Sequence, residues 1–436
     1  MMSRTASSGV PSGTMAALML SVFTVSLGFG LVLPSLPFLI ERLAGASGNT
    51  GQVSRATGLL TGLYMLSLFL FAPAWGKLSD RLGRRSVLLI GMIGFSATSL
   101  TFAFVENLPA IYAERFLSGL FAAAVTPVAL AAIGDLASTE AVRARRLTFV
   151  SLAGIVGFLL GPMLGVFVAR SVPTLFSAKL DAGSLEVPLV GTAALALLVA
   201  IAVSIAVSGK TQFDSNPNRA QPALPTDKWL VARLLALAFI VSAGIGVFEV
   251  GLALRGKQEL GLTQYQIATM FTECSLVMVI VQAIVFSPWI RPETTRWFIV
   301  PAFAILAAGL FLVPRAADFK LMLLVIGAVA ASAGILSPIL TYWISSKAGK
   351  AQGAQLGKQT AAASLGAAIG SAAGGLLFDV AWLPNASFVL VAGLTVIAVV
   401  LSLGLPGKLV TGKPGPRSDG GSAADPASAS KPISVR

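Results

Sequence analysis

The side chains able to do chemistry inside this sequence are few, and most are carboxylates. Glu273, Glu249 and Glu114 stand, with Arg115, in or at the edge of stretches that are otherwise almost wholly apolar. A charge at the centre of a membrane-spanning helix costs about 2.5 to 3.5 kcal/mol on insertion scales, so each one kept there is a functional candidate. Glu273 lies nine residues beyond Gln264, or about 14 Å of helix, which puts it near a bilayer midplane and makes it the first choice for handling a proton. Glu249 comes six residues before Arg255, and Glu114 and Arg115 open their own run, so these are expected nearer an outer mouth. For Glu249 and Glu114 a snorkelling, interfacial charge is the alternative. Desolvation and a neighbouring cation act on a carboxylate's proton affinity in opposite senses. A carboxylate at 273 or 249 that competes for Arg115 or for a cationic solute would therefore couple proton release to binding.

Other chemistries are poorly supplied. Histidine is absent and cysteine occurs once, at Cys274, so proton relay falls to carboxylates, imidazole cannot ligate a metal, and no intrachain disulfide can form. Neither a nucleotide-binding loop nor a metal-ligand cluster stands out. No catalytic residue, metal or cofactor is expected. Tyr64, Gln282, Tyr342 and Gln359 are polar or amphipathic residues in apolar runs, and as the lining of a cavity among Phe and Met they would suit an amphipathic organic solute. Packing explains each of them equally well.

What must position these groups is a chain built for lipid. Hydrophobic residues make up 56% of the 436 and charged residues 11%, far from the balance of a soluble domain. A bilayer core needs roughly 20 apolar residues per helical crossing. Twelve runs qualify, near 14–40, 57–76, 86–105, 109–134, 147–170, 188–208, 229–254, 264–288, 296–314, 319–345, 352–378 and 385–405. They are too long and unbroken for the alternating strands of a transmembrane barrel. The expected fold class is an all-α polytopic membrane protein of twelve transmembrane helices.

The net charge of +13 is explained by its distribution. With the N-terminus inside, 22 of the 31 Lys and Arg fall in cytoplasmic segments but only 8 of the 18 acids do. A bias confined to Lys and Arg follows the positive-inside rule, so the basic pI reads as topology and no nucleic-acid partner is expected. Both termini are placed in the cytoplasm and the chain in the cytoplasmic (inner) membrane. Residues 1–13 form a polar tail without the apolar core or cleavage site of a signal peptide. Residues 406–436, rich in Gly, Ser, Ala and Pro, are expected to be a disordered tail.

Residues 209–228 turn polar, and Pro217, Pro222 and Pro225 break any helix there, marking a cytoplasmic linker between bundles at 14–208 and 229–405. The two bundles echo one another. Val25-Ser26-x-Gly28-x-Gly30 recurs as Val241-Ser242-x-Gly244-x-Gly246, an offset of 216, and Ser151-Leu152 with Gly157 and Gly161 recurs as Ser364-Leu365 with Gly370 and Gly374, an offset of 213. Small residues four apart also serve any close helix pair, but two echoes favour a duplicated six-helix unit.

Between the second and third runs stands Gly76-Lys77-Leu78-Ser79-Asp80-Arg81-Leu82-Gly83-Arg84-Arg85. Glycines at 76 and 83 would let a short loop turn tightly, and Asp80 is one negative charge among four positive ones. An ordinary positive-inside loop accounts for the basic residues but for neither the aspartate nor the glycine spacing. The segment resembles the signature loop of the major facilitator superfamily. Arg115-x-x-x-Gly119 resembles that family's buried arginine motif, and Gly157-x-x-x-Gly161-Pro162-x-x-Gly165 resembles the glycine–proline motif of its drug/proton antiporters, the tetracycline-efflux-like group among them, with Val166 where a second glycine is usual. Pro162 removes a backbone donor, which suits a helix that bends. The counterpart segment from Ser287 to Arg296 keeps Arg291 and Arg296 but has no aspartate.

The resemblance implies a cytoplasmic gate of Gly76, Asp80, Arg81, Gly83, Arg84, Arg85 and Asp135, with Asp80 at a helix N-terminus of the second half and Arg84 paired with Asp135. It also implies two pseudo-symmetric halves rocking about a midplane site, no enzymatic step, and a monomer whose partners are a small-molecule substrate, protons and the lipid bilayer. Some drug antiporters of the family carry an acid in the first helix; here Phe29, Leu31, Val32 and Leu33 fill that stretch, and Glu249 aligns with Leu33 through the repeat. The expected function is proton-coupled export of an amphipathic or drug-like compound. The alternatives are a proton symporter or facilitator for a metabolite or metal complex, and a non-transporting receptor or scaffold.

Overall fold

The computed structural model describes residues 11–45, 49–136, 140–171, 185–208, 228–285, 287, 290–347, 352–380, 383 and 385–409, and the regular structure among them is all helical. Helices α1 (Ser12–Val32) and α2 (Leu36–Ala44) make one pass, joined by a 3-10 turn at Leu33–Ser35 where Pro34 withholds a backbone donor. The first half continues with α3 (Thr50–Leu82), α4 (Arg84–Ala103), α5 (Leu108–Ala122) running on into α6 (Val125–Leu136), α7 (Glu140–Ser171) and α8 (Glu186–Ala206). The second comprises α9 (Lys228–Gln258), α10 (Gln264–Val285), α11 (Ile299–Leu312), α12 (Phe319–Lys347), α13 (Gln352–Leu376) and α14 (Ala386–Ser402), followed by a short α15 (Leu405–Lys408). Asn49 and Asn107 start α3 and α5 by accepting the N–H groups of Gln52 and Ala110 at 2.7 and 2.9 Å, which satisfies donors that a helix start leaves orphaned.

Ten of the twelve passes are long and apolar enough to cross a membrane, and α14 is a shorter apolar helix of 17 residues. The remaining pass, α13, is diluted by Gly and Ala over its 25 residues and lies against α9 and α3. The chain is a multi-pass membrane protein. Most of the expected runs mark the apolar centre of a longer helix, because a helix propagates past its lipid-facing stretch into the interface while its backbone bonds remain satisfied.

Packing repeats between the halves. Helix α1 lies along α7 as α9 lies along α13; α4 pairs with α8 as α11 pairs with α14; α3 pairs with α5 as α10 pairs with α12. The seams that join the halves, α3 with α13 and α10 with α7, are equivalent too.

Glycines set the register of the closest of these seams and correct one of the two sequence echoes. A Cβ on Gly157 or Gly161 would fall 2.3 or 2.6 Å from the carbonyl oxygens of Phe23 and Leu27, and one on Gly366 or Gly370 would fall 2.3 or 2.2 Å from those of Phe239 and Ala243. Phe239 and Ala243 follow Phe23 and Leu27 by 216 residues, as the first echo requires, but Gly366 and Gly370 follow Gly157 and Gly161 by 209. The echo at 213 is therefore one helical turn out of register. Gly157 corresponds to Gly366, and Ser151 corresponds to Thr360. Glycines at 366, 370 and 374 repeat every four residues, so a shift of one turn looks equally good in sequence.

The segment from Gly76 to Arg85 is not a loop. Helix α3 runs through Gly76 to Leu82 and α4 begins at Arg84, leaving Gly83, at φ +87°, as the sole break. Gly76 is helical with nothing near the position of a Cβ, so its turn-making role falls away. Residues 1–10 of the expected N-terminal tail, 209–227 of the linker and 410–436 of the C-terminal tail lie outside the described residues.

Candidate functional site

A cavity of about 540 Å³ lies between the halves. Its first-half wall carries three stacked rings from three helices. Phe29 of α1 sits 5.2 Å from Tyr64 of α3 and 5.8 Å from Phe158 of α7. Phe248 of α9 and Phe271 and Cys274 of α10 face them from the second half. Among the described residues, Glu249 is the only acidic or basic one lining the cavity, and it makes no ion pair or hydrogen bond with them.

Depth within the cavity follows from the seams. Helix α9 runs from the Asp80 end of the molecule toward the other end, so Glu249 stands at the far end of the cavity and Leu130, Ala72 and Thr360 toward the Asp80 end. Glu249 is thus a cavity residue, and the interfacial alternative does not apply. The sequence puts it close to a mouth because Arg255 follows so soon, but Arg255 is itself buried, bonded to Glu259 and to the carbonyl of Ala316.

Glu273 faces away from the cavity. Phe271, Cys274 and Ser275 turn toward the cavity, and at 100° per residue Glu273 falls on the opposite side of α10. Its Oε1 lies 3.7 Å from where Gly327 of α12 would carry a Cβ, and its buried Oε2 has no hydrogen-bond partner. Of the four cavity candidates, Tyr64 lines the wall. Gln282 does not, Tyr342 packs edge-on against Trp343, and Gln359 bonds the hydroxyl of Thr341.

Glu114 and Arg115 form a closed pair behind the aromatic wall. Nε and Nη2 of Arg115 donate to the Glu114 carboxylate at 2.6 and 2.9 Å, and both side chains are buried. The guanidinium also stands 4.3 Å from the Phe102 ring centroid and 5.7 Å from that of Tyr64, within cation–π range. Arg115 therefore reaches the cavity only through Tyr64. In the glycine–proline helix, Gly157, Gly161 and Gly165 all face α1, and Pro162 lies within a continuous α7.

At the Asp80 end, Arg84 is the hub. Its Nη1 meets Asp80 at 2.6 Å, its Nε meets Asp135 at 2.9 Å, and it also bonds Ser79. Arg81 is exposed and Arg85 half-buried. Asp80 is 57% exposed and pairs with Arg84, and among the described residues it makes no bond to the second half; residues 348–351, just before α13, lie outside them. A cluster of bonds joins the halves at the other end. Lys257 of α9 pairs with Glu41, donates to the carbonyl of Pro37 at 2.8 Å and lies 4.7 Å from the Phe38 ring. Gln258 accepts from Ser54 at 3.1 Å and donates to the Thr50 carbonyl at 3.2 Å, Gln264 donates to Ser35 at 2.7 Å, and Thr50 donates to Asp379 at 3.2 Å. These bonds close the cavity at the Glu249 end. Sequence reasoning passed over this lock, whose one signal is the dense polar run Arg255-Gly256-Lys257-Gln258-Glu259 ending an apolar helix.

Comparison with known proteins gives concordant results. A family model described as Major Facilitator Superfamily matches residues 18–357. The chain is 28% identical over 376 residues to Multidrug resistance protein 1 of Bacillus subtilis (strain 168), covering 84% of this chain and 90% of that protein. It is 27% identical over 363 residues to Quinolone resistance protein NorA of Staphylococcus aureus (strain COL), covering 83% and 88%. A crystal structure of a D-xylose-proton symporter has the same fold, with a TM-score of 0.70 at 16% identity over 90% of this chain and 97% of that one.

Proposed function

The chain belongs to the Major Facilitator Superfamily, and from that membership we propose that it is a proton-coupled exporter of amphipathic organic cations in the cytoplasmic membrane, working by alternating access. The single observation that carries the reading is Glu249, a lone carboxylate at the blind end of a cavity between the halves whose other described lining residues carry no acidic or basic side chain. The names of its relatives, a multidrug resistance protein and a quinolone resistance protein, support efflux. The bias of Lys and Arg supports a cytoplasmic Asp80 end.

An unpaired ionised carboxylate is costly in apolar surroundings. Glu249 is therefore neutralised either by a proton or by the cationic head of a substrate, and the two exclude one another. A substrate entering from the cytoplasmic end slides its apolar body along Phe29, Tyr64 and Phe158, reaches Glu249 and releases the proton. Rocking of the halves then opens the lock around Lys257 and Gln258 while Asp80 and Arg84 close the cytoplasmic end. Protonation of Glu249 from outside expels the cation. Glu114 and Arg115 hold Tyr64, and Glu273 stands off this path, on the α12 side of α10.

The test is transport in proteoliposomes. An imposed pH gradient should drive uptake of a fluorescent organic cation by the wild-type protein and not by the Glu249→Gln variant. Equal flux in both would remove Glu249 from the mechanism.

A further inference from the structure

We infer that the cavity carries a second, uncharged recognition subsite at its cytoplasmic end, made by the hydroxyls of Thr126, Ser151 and Ser364. Its substrates are then elongated amphiphiles with a cation at one end and a neutral hydrogen-bonding group at the other. This rests on the proton-for-cation reading of Glu249 and adds what the opposite end of the same cavity selects.

Hydroxyls inside a helical bundle ordinarily bond back to the carbonyl one turn earlier on their own helix. Thr57, Thr61, Thr192, Ser275, Ser332 and Thr341 do so at 2.7 to 2.9 Å. Thr126, Ser151 and Ser364 instead line the cavity, and their hydroxyls make no hydrogen bond among the described residues. They come from three helices, α6, α7 and α13, so no local feature of one helix explains them. Thr360, the counterpart of Ser151 in the corrected register, lines the same end.

Separation from the carboxylate is set by the α9–α13 seam. Gly374 packs against Val247 and Val250, which bracket the level of Glu249. Ser364 stands ten residues earlier on α13, roughly 15 Å of helix away. The wall between them is apolar and aromatic. A hydroxyl left unanswered when a ligand displaces its water is costly, and a site built to hydrogen-bond a ligand group discriminates against the analogue lacking it. A ligand that fills the length of the cavity and offers a donor or acceptor at its far end meets this requirement.

Equilibrium binding to the purified full-length protein in nanodiscs tests it, with dodecyltrimethylammonium and its ω-hydroxy analogue as probes. The wild type should favour the hydroxylated probe, and the Ser151→Ala/Ser364→Ala variant should lower that preference about five-fold, the worth of a neutral hydrogen bond, with dodecyltrimethylammonium binding unchanged. That unchanged affinity reports an intact fold and charge site. Equal binding of the two probes by the wild type, a preference that survives the double substitution, or an equal weakening of both probes by it overturns the subsite. The Glu249→Gln variant separates the two readings. It should weaken both probes alike and keep the preference, whereas no effect on either probe overturns the cation reading itself.

Discussion

Glu249 and Lys257 stand on the same helix, eight residues or about 12 Å apart along its axis, the first in the cavity and the second bonded across to the other half. Helix α9 is unbroken between them. In the proposed exchange, a continuous helix would carry a change in what neutralises Glu249 to the lock at the closed end.

Loosening that lock should favour the outward-open state. Lys257→Gln removes the donor to Pro37, the pair with Glu41 and the cation over Phe38 together, while Glu41→Gln removes only an exposed partner, worth roughly 0 to 1 kcal/mol. Cys274, the single cysteine, lines the cavity and serves as the reporter. Its labelling by an impermeant maleimide from the outer face should accelerate several-fold in Lys257→Gln and little in Glu41→Gln. Equal rates in Lys257→Gln and wild type would show that the lock does not hold the closed end.

The two interior carboxylates of the second half should behave differently. Glu249→Gln should abolish flux driven by a pH gradient, whereas Glu273→Gln, which alters a group on the α12 side of α10, should leave that flux within about two-fold, as expected for a site off the transport path. Loss of driven flux in Glu273→Gln with normal behaviour of Glu249→Gln would reverse the assignment.

Arg84 joins two acids of unequal weight. Asp135→Asn weakens one side of a buried guanidinium and should lower stability by about 1 to 3 kcal/mol, read as an earlier thermal unfolding midpoint in detergent. Asp80→Asn removes a largely exposed contact and should leave that midpoint nearly unchanged. Its cost should fall on turnover, with substrate affinity preserved, because the proposed closing of the cytoplasmic end uses its charge. Normal turnover in Asp80→Asn would detach it from the gate.

The glycines divide by what surrounds them. Gly161→Ala places a methyl 2.6 Å from the Leu27 carbonyl and should destabilise by about 1 to 3 kcal/mol, since backbone cannot move aside without parting α1 from α7. Gly76→Ala meets open space inside a helix and should stabilise by roughly 0.5 to 1 kcal/mol. Gly83→Ala, at φ +87°, should be strained by about 1 to 3 kcal/mol. A thermal midpoint for Gly83→Ala as high as that of Gly76→Ala would contradict the helix boundary at Gly83.

Much of this was legible in sequence because lipid leaves few options. Apolar runs and the echo at 216 carried the twelve passes and the two halves. Direction around a helix did not follow. Helix α10 is apolar on every side, so no hydrophobic stripe marks which face turns inward, and Glu273 and Cys274 could not be told apart as cavity residues. The register of α13 escaped for a related reason, its glycines repeating with the helical turn. Asp80 shows a third limit. A motif names the contacts of a working cycle, while a structure holds one conformation, and here Asp80 meets no described residue of the second half.

A single acidic group in the cavity also fixes the electrical character of the cycle proposed for it. One proton carried inward against one monovalent cation carried outward transfers no net charge. The membrane potential, worth about 2.3 kcal/mol per elementary charge at 100 mV, then does no work on the exchange. Export would draw on the pH difference alone, fading as the outside turns alkaline however strongly the membrane is polarised.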